Sequence, residues 1–247
     1  MSAADGLAVR GLSYGHGGRA LFDSLTFRCP AGRVCAVLGP NGTGKTTLLE
    51  TLMGMIPAMA GEVRTEKRPG FVAQHVGVDT ALSVLDVVLL GRAGRIGLFS
   101  RPGAHDVGVC RAWLETLGIG GLAGRDYRSL SGGQRQLVMI ARALVSECRV
   151  LLLDEPMSAL DLRRQKEVLA LVRSLASERL MTVLFSTHEP QHAWAAGGDV
   201  LLLGPGRRWR FGPARTVMTD EVLTELYSTP VKSVGGDGST YFVADFG

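Results

Sequence analysis

The residues best suited to chemistry form a glycine-rich run near position 40. The run reads Gly39-Pro40-Asn41-Gly42-Thr43-Gly44-Lys45-Thr46-Thr47, in which two glycines lie five residues apart and are followed by Lys and Thr. This spacing is typical of a phosphate-binding loop, whose backbone N–H groups turn inward on an anion while the next helix directs the positive end of its dipole at it. We predict that Lys45 reaches the terminal phosphates of a nucleotide and that the Thr46 hydroxyl ligates Mg²⁺.

A second glycine-containing run lies before another predicted helix. Leu130-Ser131-Gly132-Gly133-Gln134 precedes a helical pattern from Arg135 to Val145, with Ser131 as its N-cap. The two glycines leave backbone N–H groups bare and so predict a second anion site, although the pentapeptide alone is more typical of an ordinary glycine turn. With two such cradles, one chain could bind two ligands, or it could present the second cradle to a nucleotide held by another copy of itself.

Two adjacent carboxylates follow an apolar strand. Val150 to Leu153 is predicted to be buried, and Asp154 and Glu155 leave it at the same sheet edge as the phosphate-binding loop. Adjacent side chains on a strand point in opposite directions, so the two carboxylates have different roles. One can hold Mg²⁺ beside Thr46, and the other can face the terminal phosphate and polarise water.

A histidine leaves a further predicted strand, Thr182 to Ser186, at the same edge of the sheet. Taken alone, His188 is more often a structural residue. Because it lies beside a phosphate site, it becomes a candidate sensor of the terminal phosphate.

The elements around these motifs predict an α/β fold. Strands are predicted at 7–10, 25–28 and 33–38, and the third is apolar on both faces, as in a parallel sheet covered by helices. Residues 82–128 carry a helical pattern that predicts a separate lobe, and another helix is expected from about Arg163 to Leu180. The 33 glycines are too many for a helical bundle and lack the period of collagen.

Composition and charge limit the class of protein. The 27 basic and 23 acidic side chains give a net charge of +4, which suits contact with phosphate or with an anionic membrane surface without requiring either. The four cysteines lack a CxxC pair, so we expect neither a zinc site nor a disulfide framework. No apolar run approaches the roughly 18 to 20 residues that span a bilayer, and the N-terminus lacks a secretory signal, so a cytoplasmic protein is expected.

One loop within the helical region mixes basic and apolar side chains. The basic residues are Arg92, Arg95 and Arg101, and the apolar ones are Ile96, Leu98 and Phe99. This mixture is typical of a docking surface, in which apolar side chains anchor a partner and arginines form the polar rim. A solvated loop is the alternative interpretation.

Taken together, these motifs resemble those of the nucleotide-binding subunits of ABC transporters, in the family's order from about Leu7 to the end of the chain. Gly39 to Thr46 is similar to the Walker A loop, Val150 to Asp154 to the Walker B strand, and Leu130 to Gln134 to the LSGGQ signature. Gln74 falls at the Q-loop, Ser158 to Asp161 at the D-loop and His188 at the switch histidine. Tyr14 is similar to the A-loop aromatic that stacks on adenine, which implies that the nucleotide is ATP. Met157 departs from the family, which usually has Thr there.

The resemblance implies a fold and a division of the chain. The fold would be a P-loop NTPase (RecA-like) core with a parallel sheet, an antiparallel β subdomain and a helical signature subdomain. Residues 1–247 would form a single ABC ATPase domain. Within it, residues 1–74 and 150–214 would be the ATP-binding core lobe, 75–149 the helical lobe and 215–247 a C-terminal tail.

The resemblance also implies a mechanism. Two ATP molecules would be sandwiched in a head-to-tail homodimer, each between one chain's Walker A loop and the signature residues Ser131, Gly132, Gly133 and Gln134 of the other. Asp161 would organise the dimer seam. Glu155 would be the general base, His188 and Lys45 would contact the γ-phosphate, and the Mg²⁺ shell would contain Thr46, Gln74 and Asp154.

The subgroup implied is that of metal-chelate importers, which includes iron-siderophore, haem, cobalamin and molybdate systems. The run Leu90-Gly91-Arg92 and the tail around Leu223 to Tyr227 are similar to those subunits. The partners would be separate transmembrane permease subunits and a substrate-binding protein, with no nucleic acid. The chain would sit peripherally on the cytoplasmic face of the inner membrane, with a permease helix docked on the helical lobe around Gln74 and the loop from Arg92 to Arg101.

Other classes of ABC ATPase remain as alternatives. Chromosome-maintenance and recombination ATPases insert long coiled coils between the Q-loop and the signature, and the stretch between Gln74 and Leu130 is too short for one. Ribosome-associated relatives carry two cassettes in one chain, whereas this sequence has one. An ATPase of another transport class, including an exporter, stays open, and the transported substrate cannot be read from this subunit.

Overall fold

The computed structural model describes residues 6–74, 81–96, 101–158, 160–236 and 239–245, with Ser239 described by its backbone only. The strands are β1 (Leu7–His16), β2 (Arg19–Cys29), β3 (Val34–Leu38), β4 (Ala60–Thr65), β5 (Gly70–Val72), β6 (Val150–Leu153), β7 (Thr182–Thr187), β8 (Asp199–Leu203), β9 (Trp209–Pro213), β10 (Val231–Gly236) and β11 (Ser239–Ala244). The α-helices are α1 (Lys45–Met53), α2 (Val84–Leu89), α3 (Ala104–Thr116), α4 (Gly132–Leu144), α5 (Leu162–Ser177), α6 (Pro190–Ala196), α7 (Ala214–Val217) and α8 (Asp220–Tyr227). Single 3-10 turns lie at Leu90–Arg92, Gly120–Leu122, Tyr127–Ser129 and Pro205–Arg207.

The amino-terminal part forms a small antiparallel sheet in the order β2-β1-β4. Its first two strands are longer than predicted, because they continue to a tight hairpin in which Gly17 and Gly18 both have positive φ. Only glycine adopts this conformation without strain, so the hairpin closes where the sequence places two glycines together. The inner face of this sheet packs with Leu48, Leu49 and Leu52 of α1 in one apolar cluster.

The central sheet has six strands in the order β5-β6-β7-β3-β8-β9. The first five run parallel and β9 is antiparallel at the edge. Every residue of β3, β6 and β7 is buried, as expected for strands covered on both faces. Because β6, β7 and β3 are neighbours and parallel, their carboxyl ends meet at one edge, which confirms the predicted convergence of the phosphate-binding loop, Asp154 and His188.

Helices α2, α3 and α4 pack together between β5 and β6 in the chain and form the helical region. Helix α4 begins at Gly132, earlier than the predicted Arg135, because the Ser131 cap lets the two glycines join the first turn. Helix α5 ends at Ser177, earlier than the predicted Leu180, which adopts a left-handed φ of 52°. In the described residues, no helix combines the length and apolar character needed to cross a membrane.

The architecture confirms the predicted α/β fold with a parallel sheet, an antiparallel subdomain and a helical region. The four cysteines are buried. The chain after β9 forms α7, α8 and a hairpin of β10 and β11, which packs back on α6 through Trp194 and Phe242.

Candidate active site at the carboxyl edge of the parallel sheet

The phosphate-binding loop joins β3 to α1. Gly42 and Gly44 have φ of 79° and 90°, a region in which side chains other than glycine are strained. A Cβ atom at Gly44 would also lie 2.8 Å from Leu21 Cδ1. Both positions therefore require glycine, and Gly44 is the N-cap of α1, which has no side-chain capping hydrogen bond.

Lys45 lies inside the loop that it terminates. Its Nζ atom donates to the carbonyl oxygens of Gly39 at 2.9 Å and Pro40 at 3.0 Å, and it lies 3.4 Å from Glu155 Oε1. Burial lowers the pKa of the Lys45 ammonium, while the carboxylates of Glu155 and Asp154 act in the opposite direction. The loop thus holds one buried cation between two of its own carbonyl oxygens and the carboxylate of Glu155.

Asp154 is almost fully buried, with 1% exposure, and is held by two hydroxyl groups. Thr46 Oγ1 donates to its Oδ2 at 2.8 Å, and Ser186 Oγ donates to its Oδ1 at 2.6 Å. The same Ser186 oxygen accepts the Glu155 N–H at 2.8 Å. Ser186 was not predicted as a site residue, and the available signal was a hydroxyl residue near the carboxyl end of a buried strand, two residues before His188.

Glu155 is the centre of the site. Its Oε1 faces Lys45, and its Oε2 lies 3.2 Å from Gln74 Nε2 and 3.3 Å from His188 Nδ1. The contact with Gln74 is a hydrogen bond, whereas Nδ1 of His188 lies within ion-pair distance but makes no hydrogen bond. The backbone of Glu155 has a φ of 43°, which is unusual for a residue with a side chain and is typical of functional sites.

Two of the three residues predicted to hold Mg²⁺, Thr46 and Asp154, contact each other beside the phosphate-binding loop. Thr46 and Asp154 supply a hydroxyl and a carboxylate oxygen next to the phosphate-binding loop, and these hard oxygen ligands suit Mg²⁺, which takes few protein ligands and fills its shell with phosphate and water. The described residues contain no cluster of three or more His, Cys, Asp or Glu side chains that could hold a metal. Gln74 donates its amide N–H to Glu155 Oε2 at 3.2 Å, and its place in the Mg²⁺ shell stays a prediction.

A cavity of ≈ 490 Å³ opens beside these groups. The residues that line it are Leu21, Asn41, Gly42, Gly44, Lys45, Thr46, Thr47, Gln74 and Glu155. The predicted nucleotide-binding residues from Asn41 to Thr47 are all among them except Thr43. The Thr43 hydroxyl donates to the Pro40 carbonyl oxygen at 2.9 Å and so stabilises the loop. No described lining residue comes from the second glycine run.

The backbone at His188 is held by the C-terminal part of the chain. Tyr227 Oη donates to the His188 carbonyl oxygen at 2.7 Å. Burial raises the pKa of the Tyr227 phenol, so this hydroxyl keeps its proton and remains a donor. On the other side of the same turn, the Thr187 hydroxyl accepts the Glu189 N–H at 3.0 Å.

The second glycine run has a different structure. Ser131 is the N-cap of α4 and forms a capping box with Gln134, so both side chains satisfy backbone N–H groups of their own turn. A Cβ atom at Gly132 would meet no atom within 4 Å, and one at Gly133 would meet only the Arg164 side chain. Asp161, predicted at a dimer seam, is exposed and caps α5 by accepting the Arg164 N–H at 2.9 Å. The structure therefore brings none of these residues to the Lys45 cavity.

Tyr14 is a correction to the sequence analysis. Its ring was predicted to stack on adenine, but it has 0% exposure and packs against Phe22, with ring centroids 5.9 Å apart. The reason is its place on β1, where the bulges between Leu12 and Gly15 turn the ring into the apolar cluster beneath the antiparallel sheet. Burial raises the pKa of Tyr14, and its hydroxyl has no hydrogen-bond partner among the described residues.

The predicted docking loop is corrected in part as well. Arg92 was assigned to an exposed polar rim, but it is 4% exposed and bonds to Asp106, Glu147 and the Val145 carbonyl oxygen. A buried guanidinium needs such partners, so this arginine joins α3 to the end of α4 instead of facing solvent. Leu98 and Phe99 lie outside the described residues.

Comparisons with known proteins point to one family. A family model for the ABC transporter matches residues 22–158. The chain is 45% identical over 211 residues to the molybdate import ATP-binding protein MolC of Haemophilus influenzae, a match that covers 85% of this chain and 83% of MolC. It is 37% identical to the hemin import ATP-binding protein HmuV of Streptomyces coelicolor, covering 94% and 85% of the two chains. A solved structure of an inward-facing metal-chelate type ABC transporter superposes with a TM-score of 0.92 at 41% identity, covering 98% of each chain.

Proposed function

This chain belongs to the ABC transporter family as an ATP-binding subunit with ATPase activity, and we propose that it powers an importer of molybdate or a metal chelate. The identity to MolC, extending over 85% of this chain, supports the cargo class. The structural likeness to a metal-chelate type transporter over 98% of the chain supports the same class.

The chemical step is carried by Glu155. Three side chains, those of Lys45, Gln74 and His188, lie within 3.4 Å of its carboxylate, while the neighbouring Asp154 is occupied by hydroxyl groups. In the proposed reaction, a water oxygen attacks the terminal phosphorus of ATP, the bond to the bridging oxygen breaks, and Glu155 accepts the water proton. Lys45 offsets the charge on the phosphate oxygens, and His188 contacts the γ-phosphate at the same edge.

Thr46 and Asp154 would hold Mg²⁺. When bound, the ion neutralises charge on the phosphates. Ser186 hydrogen-bonds to both the Asp154 carboxylate and the backbone N–H of Glu155. It therefore fixes the positions of the two carboxylates relative to each other when the nucleotide binds.

We assign the second cradle to a nucleotide held by another copy of the chain. Ser131, Gly132 and Gly133 lie at the amino end of α4, away from the residues that line the Lys45 cavity, and the backbone is open above Gly132 and faces only the Arg164 side chain above Gly133. Two copies arranged head to tail would bury two ATP molecules, with the exposed Asp161 near the seam.

A groove between the two lobes is the proposed docking site for a separate transmembrane permease. The groove is ≈ 840 Å³ and includes the apolar side chains Met53, Met55, Phe71, Leu90 and Met139 with the basic side chains Lys67, Arg68, Arg95 and Arg142. Met55 and Leu90 are 58% and 47% exposed, as an unpartnered anchor would be. This groove replaces the loop from Arg92 to Arg101 as the centre of the surface, and it would hold the chain peripherally at the inner face of the membrane.

Uptake by the assembled transporter tests the cargo class. The chain would be co-expressed with the permease and binding protein encoded beside its gene and reconstituted in liposomes, and uptake of molybdate, ferric siderophore, haem and Mn²⁺ would be measured with ATP inside. We expect uptake of molybdate or of one chelate, abolished by Glu155→Gln. Uptake of Mn²⁺ alone, or outward movement of every cargo, would overturn the proposed class.

Co-purification tests the groove. Met55→Asp and Leu90→Asp should release the chain from the permease while leaving its own ATPase rate intact, because neither side chain lines the Lys45 cavity. Leu180→Asp is the matched control, since Leu180 is 63% exposed elsewhere on the surface. An unchanged complex in both groove variants would place the permease on another face.

A further inference from the structure

A chain of polar side chains behind the switch histidine has no role in the chemistry described above. His192 lies on α6 and Gln165 on α5, and both are half-buried beside a cavity of ≈ 540 Å³ that Glu155 and His188 also line. His192 Nδ1 is 3.3 Å from Thr187 Oγ1, and its Nε2 is 3.1 Å from Gln165 Oε1. The imidazole therefore joins the residue before His188 to the helix after the D-loop.

The hydrogen-bond partners fix the direction of every donor in this chain. Gln165 Nε2 donates to the carbonyl oxygens of Leu160 at 3.1 Å and Met157 at 3.4 Å, so its Oε1 faces His192 as an acceptor. His192 must then carry its proton on Nε2, and its Nδ1 accepts from the Thr187 hydroxyl. A neutral imidazole with one tautomer satisfies each group.

This series of hydrogen bonds ends on two backbone segments that have roles in the proposed function. At one end, the Thr187 hydroxyl also accepts the Glu189 N–H, so it holds the turn on both sides of His188. At the other end, Met157 and Leu160 belong to the segment between Glu155 and Asp161 that leads to the proposed dimer seam. A shift of either segment changes the length or angle of the hydrogen bonds between them.

We propose that His192 and Gln165 form a positioning relay, which couples the turn carrying His188 to the carbonyl groups of the D-loop. The relay rests on the proposed function, because it matters only if His188 contacts the γ-phosphate and the D-loop meets a second chain. Through this relay, contact between His188 and the γ-phosphate favours one position of the D-loop backbone at the dimer seam. Conversely, formation of the seam favours the position of His188 that contacts the γ-phosphate. Neither residue is a catalytic residue, since both act through other groups.

Burial supports the protonation state that the relay needs. The pKa of His192 is lowered first by burial and also by the nearby His188, and Glu189 acts in the opposite direction. The imidazole is thus neutral at pH 7, as a group that must accept at Nδ1 and donate at Nε2 has to be.

The experiment is a double-mutant cycle with a conservative rescue. His192→Phe keeps the ring volume and removes both hydrogen bonds, Gln165→Met removes the amide, and the third variant combines them. We expect each single change to lower kcat by about 3- to 10-fold, the range given by one or two neutral hydrogen bonds, with the KM for ATP unchanged. The double variant should be no slower than the slower single, and His192→Gln, which can donate and accept at the same places, should recover most of the rate.

Gln191→Met is the matched control. Gln191 is the preceding residue of α6, and its Nε2 donates to the Thr240 carbonyl oxygen at 3.0 Å, away from the D-loop. It should leave kcat unchanged. Multiplicative losses in the double variant, an unchanged rate in His192→Phe, no recovery by His192→Gln, or an equal loss in Gln191→Met would each overturn the relay.

A second readout separates failure of the relay from failure of the proposed function. On a Glu155→Gln background, ATP-dependent dimerisation is measured by light scattering with and without His192→Phe. We expect the parent to dimerise and the added change to raise the ATP concentration required. A parent that never dimerises would overturn the sandwich and the relay with it, whereas equal dimerisation together with equal kcat would overturn the relay alone.

Discussion

The chain contains two helices with glycine-rich amino ends, and their surroundings differ completely. At α1, the N-cap is Gly44 with no capping side chain, and Lys45 joins the loop to Glu155 across the sheet edge. At α4, Ser131 and Gln134 close their own capping box, and the open face above Gly132 meets nothing. Of these two glycine-containing ends, one is connected to other parts of the site within the chain, and the other closes its own capping box and faces outward.

The difference teaches how a composite site can be built. The connected end holds its carboxylates and its cation in place before any ligand arrives, which lowers the cost of organising the reaction. The outward end closes a capping box that satisfies the N–H groups of Ser131 and Gln134 and does not include those of Gly132 and Gly133. It therefore remains available for an anion supplied by another molecule.

The largest expected effect tests the connected end. Glu155→Gln removes the proposed base while keeping the shape of the side chain, so kcat should fall by about 10² to 10⁴-fold with ATP affinity retained. The matched control is Glu189→Gln, because Glu189 lies 3.5 Å from the other ring nitrogen of His188 but is 55% exposed. Steady-state ATPase assays and ATP titrations measure both. Near-normal turnover in Glu155→Gln would remove this carboxylate from the chemistry.

The next prediction separates the two ends. Lys45→Ala should weaken ATP binding by about 10- to 100-fold, because it removes charge-assisted hydrogen bonds to phosphate. Ser131→Arg should leave ATP binding unchanged, because it does not touch the phosphate-binding loop around Lys45. It should lower kcat by at least about tenfold, because the larger side chain fills the space at the amino end of α4. Ser129→Arg is the matched control, placing the same side chain on an exposed residue just before the signature.

Mixing the two defective chains sharpens the same test. A dimer of one Ser131→Arg chain and one Lys45→Ala chain has a single composite site with both cradles intact. We expect ATPase activity in the mixture above the sum of the separate samples. Activity equal to that sum would show that each chain works alone.

A smaller effect is expected at Ser186, the residue that connects the two carboxylates. Ser186→Ala leaves buried Asp154 and the Glu155 N–H each short of a partner, which should lower the free energy of unfolding by about 1 to 3 kcal/mol and kcat by about tenfold. Thr182→Val is the control, because Thr182 is buried on the same strand and donates to the Pro30 carbonyl oxygen away from the site. It should lose stability without a comparable loss of rate. Equal losses of kcat in the two variants would mean that the loss comes from general disturbance of strand β7 and not from the hydrogen bonds of Ser186.

Much of this arrangement could be predicted from sequence because it depends on local order along the chain. Apolar β3 and β6 followed by glycine or carboxylate residues predict the sheet edge, and Lys45, Asp154 and His188 meet there as expected. Partners chosen by the tertiary structure could not be predicted. The sequence does not indicate that Gln74 would bond to Glu155, that Arg92 would be buried among acidic groups, or that Ser186 would bridge two carboxylates.

A pH effect follows from the burial of His192. Its pKa is lowered in the folded chain from the ordinary value of 6.5, so the unfolded chain binds more protons as the pH falls below about 6.5. Stability is then complete above that pH and is lost as the pH falls toward the folded pKa. His192→Gln cannot titrate, so its melting temperature should fall less than that of the wild type between pH 7.5 and pH 5.5. An equal fall would assign the pH response to other groups.

The smallest functional effect is expected at Tyr14. It tests whether nucleotide recognition near α1 includes the adenine base as well as the phosphates. Because the ring is buried against Phe22, Tyr14→Leu should lower the free energy of unfolding by about 1 to 3 kcal/mol through the space it leaves. Its ATP affinity should be unchanged. Tyr14→Phe should be neutral or stabilising, since it removes a buried hydroxyl that has no partner among the described residues.

The two variants together decide between burial and stacking on adenine. If the ring left the core to stack on the base, Tyr14→Leu would lose stacking worth about 1 to 3 kcal/mol, a 5- to 150-fold loss of ATP affinity, while Tyr14→Phe would retain it. That pattern, measured by ATP titration beside thermal unfolding, would restore the role predicted from sequence. Unchanged affinity in both variants would instead confine recognition at this end to the phosphates, held by Lys45 and the loop glycines.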